Sequence, residues 1–293
     1  MGGMPVARTG AARSAAGRAS PLSAARLRAA LGGAAAGGTA ERGPGDLWTD
    51  LRVVAETGST SSDVLTLARA GAPEGLVIAA ETQTAGRGRQ GRTWISLPGA
   101  SLTFSALLRP RQVPQSARGW VPLLVGVAVV AAVRELTDIG ARLKWPNDVL
   151  IGERKLAGIL AEQDGGAGDA IVVGIGLNVL GAERDLEVPG ATSLQAQGVA
   201  QIDRTILLAA ILRQAGYWYL RWTGTGGDAD GGGLHSEYLG LSATVGQRVR
   251  IDLPGGRALA GTAVGIDGTG RLLVEAGRAA PVAVSAGDVI HVR

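Results

Sequence analysis

From residue 48 onward, short apolar runs alternate with breaks rich in glycine, proline and aspartate, and the length and spacing of each run predict its element. Residues 51–55 and 76–80 read as strands, the second almost wholly apolar, as a strand covered on both faces would be. Between them, Thr57-Gly58-Ser59-Thr60-Ser61-Ser62 leads into a helical stretch over 63–70. One of these hydroxyls is expected as a helix cap; four in a row after a glycine are equally suited to hold the polar head of a ligand. Residues 101–108 make another strand, ended by Arg109-Pro110. The run 121–133 is uncharged but shorter than the ~20 residues that span a bilayer, so it predicts a buried core helix.

Further along, 143–160 reads as strand, a Pro146-Asn147-Asp148 turn, strand, a tight turn at Gly152-Glu153, and a third strand. Residues 170–179 form an apolar strand, and 205–222 an amphipathic helix with Leu208, Ile211, Leu212, Tyr219 and Leu220 on its apolar side. A glycine and aspartate linker follows at 224–233. After Tyr238 the texture changes to short strands at 248–253, 258–266, 271–276, 281–284 and 288–292. Five strands so close together imply a small closed β-barrel, because closure removes exposed edges.

Residues 1–47 are built from Ala, Gly, Arg and Ser, with no acidic residue before Glu41 and helical spacing only over 21–31. Such a segment buries too little apolar surface to offset its ordering entropy, which predicts a disordered extension. It shares its arginine-rich, acid-poor character with transit peptides but has no apolar core of a signal peptide, and a cytoplasmic protein is expected. The chain therefore divides into an extension (1–47), a large α/β domain (48–240) and a small β domain (241–293).

Composition narrows the chemistry. The net charge of +4 comes from 29 basic and 25 acidic residues, so the pI near 10.1 reflects arginine usage rather than a basic patch. There is no cysteine, which excludes disulfides, thiolate nucleophiles and cysteine metal sites. The two histidines, His235 and His291, lie far in sequence from every motif, which argues against a histidine-based triad or metal site; His291, in a terminal strand, reads as a surface ring. Only two lysines occur, Lys144 and Lys155, and both fall in one short segment. A chain that otherwise uses arginine keeps a compact point charge where a fork does not fit.

The most conspicuous polar stretch is Gly86-Arg87-Gly88-Arg89-Gln90-Gly91-Arg92-Thr93-Trp94. Its glycines let the backbone approach a ligand, its guanidiniums suit phosphate or carboxylate, and Trp94 offers a flat apolar face. A Gly-Arg element that binds RNA is the competing reading. The run is not repeated, however, and it links two strands through a structureless connection of roughly 20 residues, a length typical of lids and binding loops. Asn147 and Asp148 are ordinary turn residues, or else a carboxylate-amide pair positioned to hold Mg²⁺ beside a phosphate. Lys155 lies on an otherwise apolar strand, where a buried ammonium must be paired with an anion. Gly174-Ile175-Gly176 does not open a helix, as a dinucleotide fingerprint should, and its glycines suggest the close approach of a ligand or a second backbone.

Taken together, GRGRQGRTW, KWPNDVLIGERKLAGIL and GIGLN, in that order, resemble the biotin protein ligases, and the resemblance covers residues 57–292. It implies an α/β (α+β) fold: a mixed-sheet catalytic domain related to class II aminoacyl-tRNA synthetases, plus a small C-terminal barrel of the SH3 type. It also implies an ATP-dependent ligase that forms biotinyl-5′-AMP and transfers biotin to a lysine of a biotin carboxyl carrier domain, of an acetyl-CoA, acyl-CoA or pyruvate carboxylase, with Mg²⁺ as cofactor. By motif position, Ser59, Thr60 and Gln83 resemble the residues that hold the biotin ureido head, with the backbone of Gly86, Gly158 and Gly176 closing that pocket. Arg87 and Arg89 resemble the arginines that meet the carboxylate and the adenylate phosphate. Arg92, Trp94, Asn147 and Asn178 resemble nucleotide contacts, Asp148 the residue near Mg²⁺, and Lys155 the essential lysine between carboxylate and α-phosphate. Asp148 is also a candidate to receive the proton of the acceptor lysine. Ser61 stands where the family more often has asparagine. The N-terminal DNA-binding domain of the family's bifunctional members has no counterpart in the sequence, so a monofunctional ligase without DNA as a partner is expected, and no membrane partner is expected either. Lipoate or octanoyl ligases share the general fold, but the polar cluster at Ser59, Thr60 and Gln83 suits a ureido group better than an aliphatic chain.

Overall fold

The computed structural model describes residues 20–32, 43–95, 98–163, 168–186, 188–253, 255–277 and 280–292. Seven strands form one mixed sheet: β1 (Asp50–Thr57), β2 (Leu76–Gln83), β3 (Ser101–Leu108), β4 (Arg142–Lys144), β5 (Asp148–Ile151), β6 (Arg154–Gln163) and β7 (Ile171–Asn178). Their order is β1-β2-β3-β7-β6-β5-β4, parallel only between β1 and β2. Both β3 and β7 are buried along their whole length, which accounts for their mainly apolar sequences; the polar exceptions Ser101, Thr103, Ser105 and Asn178 are buried with them.

Helices α3 (Val121–Thr137) and α4 (Arg204–Gly224) pack together on one face of the sheet, and α2 (Thr60–Arg69) covers part of the other. Together with the six-residue turn before it, α3 is long and apolar enough to cross a membrane, longer than the 121–133 run suggests, yet most of it is buried in the core. In α4, Asp203 caps the first turn by accepting from the amides of Thr205 and Ile206. Within the expected 224–233 linker the chain makes turns, and a short helix missed in the sequence, α5 (Leu234–Leu241), follows it.

The extension 1–47 is a correction in part. Residues 1–19 and 33–42 lie outside the described residues. Residues 20–32 are folded: α1 (Ala24–Gly32) buries Leu27 and Leu31, with Leu22 just before it, against α4 and β1. Polar ties hold it there. The amide of Leu22 donates to Glu81, and Arg204, buried in α4, bridges Glu81 at 2.8 Å, the carbonyl of Ser101 and the carbonyl of Ser20.

Five strands, β8 (Arg248–Asp252), β9 (Ala258–Ile266), β10 (Leu272–Glu275), β11 (Val282–Val284) and β12 (Asp288–His291), make the C-terminal antiparallel sheet, ordered β11-β10-β9-β8-β12. All five were legible in the sequence, but among the described residues no ladder joins β11 to β12, so the expected barrel is not closed by hydrogen bonds. The sheet is fastened to the larger one through Trp145, whose amide donates to Thr244 Oγ1 at 3.1 Å and whose indole donates to the carbonyl of Gly270 at 3.1 Å.

Candidate active site

Pairing across the large sheet places one residue from each strand in register: Val54, Ala80, Thr103, Gly176, Gly158, Asp148 and Lys144. Directly opposed residues in a pleated sheet point to the same face. This row therefore runs from the β1 edge to the β4 edge with two glycines at its centre. A cavity of about 500 Å³ lies over its Gly176, Gly158, Asp148 and Lys144 part, lined by nearly every residue singled out from the sequence; Gly86 lines instead an adjoining cavity of about 1080 Å³ across the Gly-Arg loop.

At one end sits a cluster of uncharged hydrogen-bonding groups. Gln83, on β2, accepts from the Thr60 amide at 2.8 Å and from the Thr60 hydroxyl at 3.0 Å. Thr60 Oγ1 and Ser61 Oγ lie 2.8 and 3.0 Å from Ser105 Oγ, on β3. Ser59 is the extended residue before α2 and its side chain makes no capping bond, so it faces the cavity as a buried hydroxyl. The sequence missed Ser105; a serine at a fully buried place in an apolar strand was the available signal. Gly174, opposite Ser105, leaves room for Ser61, because a Cβ there would lie 2.4 Å from Ser61 Oγ.

The middle of the row is a glycine shelf on which the indole of Trp94 rests. A Cβ on Gly176 would lie 2.2 Å from that ring, and one on Gly158 would lie 3.2 Å from it. The Trp94 indole N–H is buried with no partner. Gly86 lets the loop fold back, since its own Cβ would meet the Trp94 carbonyl at 2.5 Å. At the loop's tip, Gln90 (φ 56°) and Gly91 (φ 72°) are both left-handed, the reversal that brings Arg87 and Thr93 into antiparallel pairing.

Beyond the shelf lies the charged end. Lys155 Nζ is 2.6 Å from Asp148 Oδ1 and 6.0 Å from the Trp94 ring centre. The lysine was expected to be buried; it is only partly so, and its anion is the protein's own carboxylate. Arg89 donates to Asn147 Oδ1 at 2.9 Å, and Asn147 in turn donates to the Ile159 carbonyl. Burial lowers the proton affinity of Arg89 and Arg92 adds to this, while Asp288 and Asp148 oppose it; a guanidinium stays charged under such shifts. Arg87 is paired with Glu162 at 2.6 Å, and Arg92 with Asp288 of β12. Asn178 is held by the carbonyl of Thr192 at 3.1 Å.

The C-terminal sheet supplies part of the wall. Asp252, Asp288, Val289 and Ile290 line the cavity, a contribution no local motif announced. His291 is a correction: it is half-buried, with Nε2 3.2 Å from Thr244 Oγ1, and burial together with the charge of Lys144 lowers its pKa against the opposing pull of Glu153. Among the described residues no three His, Asp or Glu side chains gather to hold a metal.

Comparison with known proteins agrees with this arrangement. Residues 55–178 match the Biotin/lipoate A/B protein ligase family and residues 244–292 the Biotin protein ligase C terminal domain. The chain is 43% identical over 255 residues to a biotin–[acetyl-CoA-carboxylase] ligase of Mycobacterium tuberculosis, covering 86% of this chain and 92% of that one. Its fold matches the biotin protein ligase of Aquifex aeolicus solved with biotin and ATP (TM-score 0.70, 29% identity, 84% and 100% of the two chains). It also matches that of Leishmania major solved with biotinyl-5-AMP (TM-score 0.56, 26% identity, 83% and 98%). The chain belongs to the biotin protein ligase family.

Proposed function

We propose that this chain joins biotin to the AMP moiety of ATP and passes the biotinyl group to a lysine of a biotin carboxyl carrier domain, that of an acetyl-CoA, acyl-CoA or pyruvate carboxylase. One observation carries the reading. A single glycine shelf, covered by the Trp94 indole, connects uncharged donors and acceptors at Ser59, Thr60 and Gln83 to fixed positive charge at Lys155 and Arg89. That layout suits a molecule with a polar, uncharged head, a slim apolar body and a terminal carboxylate. Residues 48–240 form the catalytic unit and 241–293 the domain that completes its wall.

In the first step a biotin carboxylate oxygen attacks the α-phosphorus of ATP, and pyrophosphate leaves with the electron pair of the broken P–O bond. Both reactants are anions, so positive charge must stand in their path. Lys155 supplies it by exchanging Asp148 for the substrate oxygens, and Arg89 supplies a second, forked donor. Arg87, Arg92, Trp94, Asn147 and Asn178 contact the nucleotide. The adenylate is a mixed anhydride that water would hydrolyse, and the Gly86–Trp94 loop keeps water from it. In the second step the carrier lysine attacks the acyl carbon and AMP leaves; the amine must lose a proton, and Asp148, released from Lys155, orients or accepts it.

Mg²⁺ usually enters such sites with the phosphates and takes only one or two protein carboxylates, so the lone Asp148 on the shelf fits it as a ligand. When bound, it would neutralise phosphate charge. A lipoate-type reading is weaker, because the hydroxyl and amide cluster would meet an aliphatic chain. A nucleic-acid reading is weaker still, because the Gly-Arg run occurs once and the 29 basic residues are nearly balanced by 25 acidic ones. The test is incubation with biotin, ATP, Mg²⁺ and a carrier domain, followed by mass spectrometry: one biotinyl group on one carrier lysine is expected, and an unmodified carrier refutes the assignment.

A further inference from the structure

The two lysines keep different company. Five cations line the cavity: Arg87, Arg89, Arg92, Lys144 and Lys155. Glu162, Asp288 and Asp148 pair with Arg87, Arg92 and Lys155 respectively, and Arg89 bonds the amide of Asn147. The remaining wall carboxylate, Asp252, is taken by Arg250. Lys144, partly buried on β4, has no carboxylate at ion-pair distance among the described residues. A half-buried ammonium facing a cavity calls for an anion from outside the protein.

The register says which anion. Lys144 is opposite Asp148, which is opposite Gly158, so all three share the cavity face. Lys144 thus stands two strands, about 10 Å at the usual strand spacing, past the shelf on the side away from Ser59 and Thr60. A substrate laid along the row places its reacting carboxylate near Lys155 and Arg89, and whatever leaves the α-phosphorus moves on towards β4. Resting on the ligase reading, we propose that Lys144 binds the β- and γ-phosphates of ATP and receives the pyrophosphate. As the carboxylate oxygen bonds to the α-phosphorus, the bond to the bridging oxygen breaks and its electron pair departs on pyrophosphate; no proton moves, and Lys144 balances the charge that accumulates there. A compact ammonium suits a group that turns as it leaves, where a fork would hold one orientation.

The test compares Lys144→Gln and Lys144→Arg with the wild-type full chain in each half-reaction. Lys144→Gln is expected to raise KM for ATP, and for pyrophosphate in the reverse conversion of biotinyl-AMP to ATP, by about tenfold or more. KM for biotin, and the rate at which supplied biotinyl-AMP is transferred to a carrier, should stay within about twofold. Lys144→Arg should recover part of the loss. An unchanged pyrophosphate dependence in Lys144→Gln overturns the assignment, as does an equal loss in transfer and biotin affinity, which marks a structural role. A wild-type chain that forms no biotinyl-AMP overturns the ligase reading first; one that forms it while Lys144→Gln behaves normally overturns the role of Lys144 alone.

Discussion

The exchange at Lys155 gives the sharpest expectation at the scale of single residues. Lys155→Ala removes the point charge between two anions and leaves Asp148 unpaired beside them. Adenylate formation should fall by about 10²–10³-fold, the effect of losing one preorganised charge or donor, as measured by pyrophosphate release. Arg89→Gly should slow adenylate formation less than Lys155→Ala does, since Lys155 remains, and should in addition lose biotinyl-AMP to solution, because the loop loses its hold on Asn147; chromatography of free biotinyl-AMP decides this, and retention equal to wild type rejects the lid role. Lys155, Arg89, Asn147 and the Ser59-Thr60 pair could be picked out in the sequence because each stands in a local motif that is odd for its surroundings. Ser105 and Asp288 could not. They reach the site through strand pairing and through the placing of a distant sheet, which local spacing does not encode.

Among elements, α1 and its anchorage show where composition misled. Three leucines in an Ala-Gly-Arg segment look too few for a fold, but they have an apolar groove on α4 and a buried arginine to meet. Arg204→Ala leaves Glu81 with the Leu22 amide alone and frees the carbonyls of Ser20 and Ser101, and should cost about 3 kcal/mol, the low end for breaking a buried pair because Glu81 keeps one donor, read by chemical denaturation. The first turn of α4 carries its own pH dependence. Burial pushes the Asp203 carboxyl up, but the Arg26 hydrogen bond and the amides of Ile206 and Thr205 outweigh it and hold the pKa below the ordinary 3.8. A depressed carboxyl contributes stability above the unfolded value, and that contribution is lost as pH falls through the folded one. Asp203→Ala should therefore be less stable than wild type at neutral pH, with the gap narrowing as the pH falls below the ordinary 3.8, measured as denaturation midpoints. Most other elements could be read directly, since their apolar periods are strong. The first residue of α2 could not, because Ser59 turns its hydroxyl to the cavity instead of capping.

On the scale of the whole molecule, the two sheets share the site, and His291 lies at their junction. Its pKa is lowered, so its neutral form favours the folded state; stability from this group is complete above the unfolded value of 6.5 and declines as pH falls below it. His291→Gln should flatten the difference in melting temperature between pH 7.5 and 5.5 relative to wild type. The presence of two domains followed from the change in strand spacing near residue 240, whereas their mutual placement did not, because Trp145 and Thr244 meet across about 100 residues of chain. The Arg92–Asp288 contact has a further consequence for synthesis. Chains emerge from the ribosome N-terminus first, and β12 is the last strand among the described residues. A nascent chain can present the hydroxyl cluster, the shelf and both lysines and still lack the wall that anchors the loop. The wall that anchors the loop is thus the last part of the site to be completed, once β12 pairs with β8.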